Sequence, residues 1–259
     1  MAHASATGSD SATNATRSPS KDAGVRVIRH EKPFRVLIAN AKGGCGKTTL
    51  ATNLASFFAA RQLPTALIDY DPQASATDWL AARDRSLPDI TGVSATRRSQ
   101  TQGTRSWEMR VPSNTAMIVI DTPAGLTGNA LSDRIRHSDA VIIPVLPSAI
   151  DIRAATTFIR DVMLSPSFRQ SPRAIAVVAN RTRKNTLVYT KLTLFLKSLG
   201  IPFITTLRDT QRYVRTSELG QGIIDDQQVE TQDLAHWDAL LAWLDDTRAR
   251  VEFCRRLTR

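Results

Sequence analysis

Residues 40–50, NAKGGCGKTTL, decide how the rest of the chain is read. Glycines 43, 44 and 46 allow successive backbone N–H groups to curl around one anion, and Cys45 occupies the variable position between them. The stretch follows an apolar run, FRVLIA (34–39), and opens a helical pattern, KTTLATNLASFFAARQ (47–62). Strand, glycine-rich turn and helix N-terminus in that order make a phosphate-binding loop. Lys47 then reaches the β- and γ-phosphates of a nucleotide, the Thr48 hydroxyl is placed for Mg²⁺, and Thr49 continues the cradle. Two features are unusual. Ala41 stands where such a loop normally opens with glycine, and a second lysine, Lys42, sits beside it.

Working outward, apolar runs alternate with amphipathic stretches. The runs are TALID (65–69), AMIVID (116–121), AVIIPV (140–145), AIAVVA (174–179) and a weaker PFITT (202–206). Helix candidates lie near 47–61, 73–85, 126–136, 150–164, 186–199 and 231–246. This alternation predicts an α/β fold, a doubly wound and mostly parallel sheet flanked by helices. Residues 86–114 are polar and read as a mobile surface segment, with WEMRV (107–111) as a possible edge strand.

Two further strand ends carry carboxylates. Asp69 and Asp71 close the second run, and Asp121 closes another, at the sheet edge where an open α/β fold gathers its ligands. An apolar strand ending in Asp binds Mg²⁺ through water in nucleotide hydrolases. Asp69, Asp121 and Thr48 are therefore the expected metal-side residues, and Asp71 is the choice for orienting the attacking water.

Composition narrows the classes. With 42% hydrophobic residues in 259, the chain can bury a large core, and no apolar run is long enough to cross a membrane. Cys45 and Cys254 form no CxxC pair, which argues against a zinc site and fits a reducing cytoplasm. Residues 1–32 are rich in Ser, Ala and Thr and read as a disordered tail, 33–247 as the catalytic domain and 248–259 as a basic C-terminal tail. The net charge of +10 is not spread evenly: residues 152–217 alone carry 12 Lys and Arg against Asp161 and Asp209, whereas 218–259 are net acidic. Such segregation points to a polyanionic partner, nucleic acid or anionic lipid.

KGGCGKT (42–48) matches the deviant Walker A pattern KGGxGKT, and DYDPQ (69–73) matches its DxDPQ companion. With VIIPVLPSAIDIRAA (141–155), these resemble the ParA/MinD ATPases, in particular the short ParA proteins without an N-terminal helix-turn-helix domain; the similarity runs from about 34 to 246. The resemblance implies Mg·ATP as substrate and an ATP-sandwich homodimer. In that dimer Lys42 crosses to the partner's nucleotide while Lys47 serves its own, so that Lys42, Lys47 and Asp71 form the catalytic set. It also implies that Asn180 contacts the adenine base, and that the ATP state binds nonspecific double-stranded DNA through basic residues of the C-terminal half. Arg181, Arg183, Lys184, Arg208, Arg212 and Arg215 are the candidates. Slow hydrolysis, stimulated by a ParB-like or cargo-adaptor protein, and a nucleoid-associated location follow from the same likeness. The rival is a MinD-like membrane cycle, for which the final TRARVEFCRRLTR (247–259) gives only a weak signal. A metabolic ligase on the same scaffold is disfavoured by Lys42 and the DPQ motif, and an iron–sulfur reductase by the lack of mid-chain cysteines.

Overall fold

The computed structural model describes residues 32–95, 110–182, 190, 194 and 201–258. The expected helix at 186–199, apart from residues 190 and 194, and most of WEMRV lie outside the described residues, as do Arg183, Lys184 and residues 1–31.

Among the described residues, seven parallel strands form one sheet in the order β3-β2-β4-β1-β5-β6-β7. They are β1 (Phe34–Ile38), β2 (Thr65–Asp69), β3 (Thr91–Ser94), β4 (Met117–Asp121), β5 (Ala140–Val145), β6 (Ala174–Thr182) and β7 (Phe203–Arg208). The helices are α1 (Lys47–Ala60), α2 (Ser75–Ala82), α3 (Gly128–Arg136), α4 (Ala149–Leu164), α5 (Pro166–Gln170), α6 (Arg212–Glu218) and α7 (Thr231–Leu257), with a 3₁₀ turn at Ile223–Asp225.

The apolar runs are continuous because helices cover both faces. Along β1, Val36 and Ile38 point into a core completed by α1, α2 and α7, whereas Leu37 points into a second core completed by α3 and α4. Period-two alternation thus deals successive residues of one run to different cores. The first core is anchored by Trp237 of α7, fully buried, 5.1 Å from the Phe57 ring and donating Nε1–H to the Tyr213 hydroxyl at 2.9 Å.

The helices after β1 and β2 lie on one face, and those after β4 and β5 on the other. Since β1 sits between β4 and β5, neighbouring connections diverge there and open a crevice at the carboxyl ends of the strands.

Two expectations need correction. Residues 86–114 contain strand β3, paired in parallel with β2 from Ala66↔Thr91 to Asp69↔Ser94, so part of the segment read as mobile completes the sheet edge. TGVS was missed because four residues with a central glycine carry too little β propensity to stand out. The supposed basic tail is the end of α7. Arg255 fixes it by donating to both oxygens of Asp139, at 2.8 and 2.9 Å, and to the Lys32 carbonyl at 3.0 Å.

Candidate functional site

The glycine loop lies between β1 and α1, at the mouth of the crevice. Gly44 and Gly46 have φ of 71° and 90°, a left-handed conformation that side chains disfavour. At Gly46 a Cβ would also meet Asn180 Nδ2 at 2.0 Å, so only glycine fits. Asn180 donates from that nitrogen to the Cys45 carbonyl at 2.9 Å and accepts the Arg181 N–H at 2.9 Å. Its amide therefore braces the loop, a role the sequence did not reveal. On the other side the Gly125 N–H donates to the Ala41 carbonyl at 2.8 Å, which ties the loop to the turn after β4. Buried Asn40 completes the frame, donating to the Pro144 carbonyl at 2.7 Å and accepting the Lys42 N–H at 3.1 Å.

The two lysines are placed differently. Lys47 is buried and its Nζ donates to the Lys42 carbonyl at 3.1 Å, inside its own loop. Lys42 points away from that loop, with its side chain 39% exposed and its Nζ 3.0 Å from Asp151 at the start of α4. Asp151 is held by Ser148, the N-cap of α4, whose hydroxyl contacts its carboxylate and accepts its N–H. Asp151 was absent from the expected site. Only its position in PSAID gave a signal, and an acidic residue in a first helical turn is ordinarily read as a cap.

The carboxylates separate into distinct tasks. Asp121 accepts the Thr48 hydroxyl on Oδ2 at 2.7 Å, while Oδ1 is buried with no hydrogen-bond partner among the described residues. Burial pushes its pKa up to about 7, opposed by the Thr48 hydrogen bond and reinforced by the charge of Asp69. An orphaned, desolvated carboxylate oxygen beside a threonine hydroxyl is a good fit for a divalent cation. No group of three or more His, Cys, Asp or Glu among the described residues is arranged to hold a metal. The smaller set of Asp121 and Thr48 suits Mg²⁺, which is commonly bound by one or two carboxylates together with substrate phosphates and water.

Asp69 is fully buried and both its oxygens are engaged: Oδ1 accepts the Asp71 N–H, and Oδ2 accepts the N–H and hydroxyl of Thr77, all at 2.9 Å. It shapes the turn that carries Asp71. Asp71 itself lines a cavity of about 260 Å³ with Gly43, Gly44, Gly46, Lys47, Thr48 and Thr49. Cys45 is buried, its thiol donates to the Lys42 carbonyl at 3.3 Å, and burial raises its pKa, as befits a filler rather than a reactive thiol.

A second cavity of about 690 Å³ adjoins the first and shares Thr49 and Arg181 with it. Its walls are α2, through Ser75 and Trp79, and α6, through Tyr213, Val214 and Ser217. Arg181 reaches both cavities because β6 bulges there: the register to β7 shifts between Ala179 and Thr182, and Arg181 has φ 51°.

Residues 36–223 match the model of the CobQ/CobB/MinD/ParA nucleotide binding domain. The chain belongs to this family. Among proteins similar to this family member is maintenance of carboxysome distribution protein A of Halothiobacillus neapolitanus, 29% identical over 176 residues, which span 68% of this chain and 79% of that one. Protein ParA of Rhizobium radiobacter is 31% identical over 118 residues, 45% of this chain and 50% of that one. Among solved structures, a plasmid partition protein of Borrelia burgdorferi bound to AMPPNP superposes with a TM-score of 0.63 at 20% identity, covering 83% of this chain and all of that one. The septum site-determining protein MinD of Pyrococcus horikoshii, with Mg-ADP, gives 0.64 at 15% identity over 85% and 99%. The ParA/MinD P-loop fold expected from the motifs is thus the fold of this chain.

Proposed function

We propose that the protein is an Mg·ATP-dependent ATPase that dimerises on ATP, binds nonspecific DNA in that state and positions or segregates a cargo. The observation that carries the reading is the division of labour between the lysines. Lys47 fills the chain's own phosphate loop, whereas Lys42 faces outward from it, held among the described residues by a partly exposed ion pair with Asp151. A cation so placed is available to the γ-phosphate of a nucleotide on a second copy. Two triphosphates facing each other would repel without it.

Thr48 and Asp121 would hold Mg²⁺, which neutralises phosphate charge during transfer. Asp71 would orient the water, Asp69 shaping the turn beneath it. Phosphoryl transfer needs chiefly positioning and charge neutralisation. Beyond Lys47 and Asp71, the lining of the small cavity offers Arg181 and no second carboxylate or histidine among the described residues, and this sparse set favours slow turnover that an adaptor protein accelerates.

The DNA candidates narrow. Arg208 is spent inside the chain, with Nε and Nη2 on Asp233 at 2.8 Å and Nη2 also on Glu230 at 2.7 Å. Arg212 pairs with Asp226 at 2.9 Å. Both are removed as free cations because the acidic start of α7 and the turn before it neutralise them. Arg215 and Arg181 are exposed, and Arg183 and Lys184 lie outside the described residues. The kinship with carboxysome-distribution and partition proteins favours a cargo of that kind. The membrane alternative gains nothing from the first part of α7, where Trp237, Leu241 and Leu244 are buried in the first core with Leu234 packed against it. No described helix is long and apolar enough to cross a membrane.

The test is fluorescence anisotropy on a random-sequence duplex across a salt series, with ATP, with ADP and with Lys42→Ala. Salt-sensitive binding confined to the ATP state of the unsubstituted protein is expected. Absence of DNA binding in every state, with binding to anionic liposomes instead, would refute the DNA matrix.

A further inference from the structure

The larger cavity is walled by α2 and α6, and the walls converge at a contact that phosphate binding does not explain. Arg83, which caps the end of α2, pairs with Asp225 at 2.8 Å, and the two side chains are only 6% and 4% exposed. Arg83 also donates to the Gly220 carbonyl at 3.0 Å and, through Nε and Nη2, to the Pro88 carbonyl at 3.2 and 3.1 Å. Asp225 accepts the Gly222 N–H at 2.8 Å. Trp79, a wall residue, lies 5.4 Å from the Arg83 guanidinium and donates its indole N–H to the Gln221 carbonyl at 3.2 Å. Gly220 has φ 64°, and a Cβ there would stand 2.3 Å from the Arg83 nitrogen, so the two backbones touch.

A buried ion pair is a poor source of stability, because desolvation offsets most of the attraction and apolar residues of similar volume do as well or better. What it supplies is geometry: a planar guanidinium, bonded to three acceptor groups, fixes the separation of the segments that carry them. We propose that the Arg83–Asp225 pair is a positioning device for the nucleotide base, setting the width of the cavity between Trp79 and α6. Neither residue lines that cavity, so both act through the walls. The inference rests on the nucleotide reading above and assigns the larger cavity to the base and sugar.

The test compares Mg·ATP with Mg·tripolyphosphate by isothermal titration, beside thermal melting, for the unsubstituted protein and for Arg83→Met/Asp225→Leu. The double variant is expected to fold but to melt lower, because the Gly220 and Pro88 carbonyls and the Gly222 N–H lose their partners, and to bind tripolyphosphate equally, yet to bind ATP about tenfold more weakly, a loss confined to the base and sugar. Undiminished ATP affinity in the folded double variant would overturn the positioning role, and so would equal losses for both ligands. Arg83→Lys keeps the charge but not the planar fork; the same selective loss is expected of it, and it decides the matter should the double variant not fold. An unsubstituted protein that binds ATP no better than tripolyphosphate would remove the base seat itself, an outcome visible without any substitution.

Discussion

At the scale of single residues, the most informative group is Asp121. Its raised pKa means that the folded, metal-free protein binds a proton there that the unfolded chain releases at lower pH. The folded state therefore loses stability as pH rises from about 4 towards about 7, by on the order of 4 kcal/mol in all, and a cation bound at this carboxylate would restore it. Binding of Mg·ATP is expected to release protons near neutrality and to weaken below pH 7; calorimetry in buffers of different ionisation enthalpy measures both. Asp121→Asn should abolish both the proton release and the Mg²⁺ dependence while raising the melting temperature of the free protein at pH 8. Asp151 supports a second prediction. Its partner Lys42 is partly solvent-screened, so the pair is worth about 1 kcal/mol or less. Asp151→Asn is expected to release Lys42 and tighten ATP-dependent dimerisation a few-fold, read by sedimentation equilibrium. The glycine loop and the positions of Thr48, Asp71 and Asp121 around it were legible in the sequence because local spacing dictates them. Asp151, Asn40 and the bracing amide of Asn180 were not, because each acts on a residue distant in sequence or across a strand boundary.

At the scale of elements, ion pairing decides which arginines are available. Arg208 ties β7 to α7 through an Asp233 side chain that is 0% exposed. Arg208→Ala leaves that carboxylate buried and unpaired, which is expected to cost about 3–5 kcal/mol in chemical denaturation. Any DNA defect of this variant would then reflect unfolding. Arg215→Glu on exposed α6 should weaken DNA binding several-fold with an unchanged melting temperature and unchanged ATP affinity; full retention of DNA affinity would remove α6 from the interface. The basic segment looked uniform in sequence because the acidic partners of Arg208 and Arg212 lie 14 to 25 residues downstream. Helices and central strands were legible from their periodicity. The short edge strand β3 was not, and the last helix outran its expected end because Val251 packs on the first core while Arg255 grips Asp139.

At the scale of the whole molecule, the two cores fix a rigid sheet whose carboxyl edge holds the phosphate loop, both cavities and the outward-facing Lys42. What that lysine does decides whether ATP joins two copies of the chain. Light scattering of the purified protein, with Mg·ATP and with Mg·ADP, beside Lys42→Ala, tests it most directly. A particle of about twice 28.4 kDa with ATP, reverting to 28.4 kDa with ADP and never forming in the variant, is the predicted result. A mass that is the same with either nucleotide, or a Lys42→Ala variant that dimerises as the parent does, would contradict it.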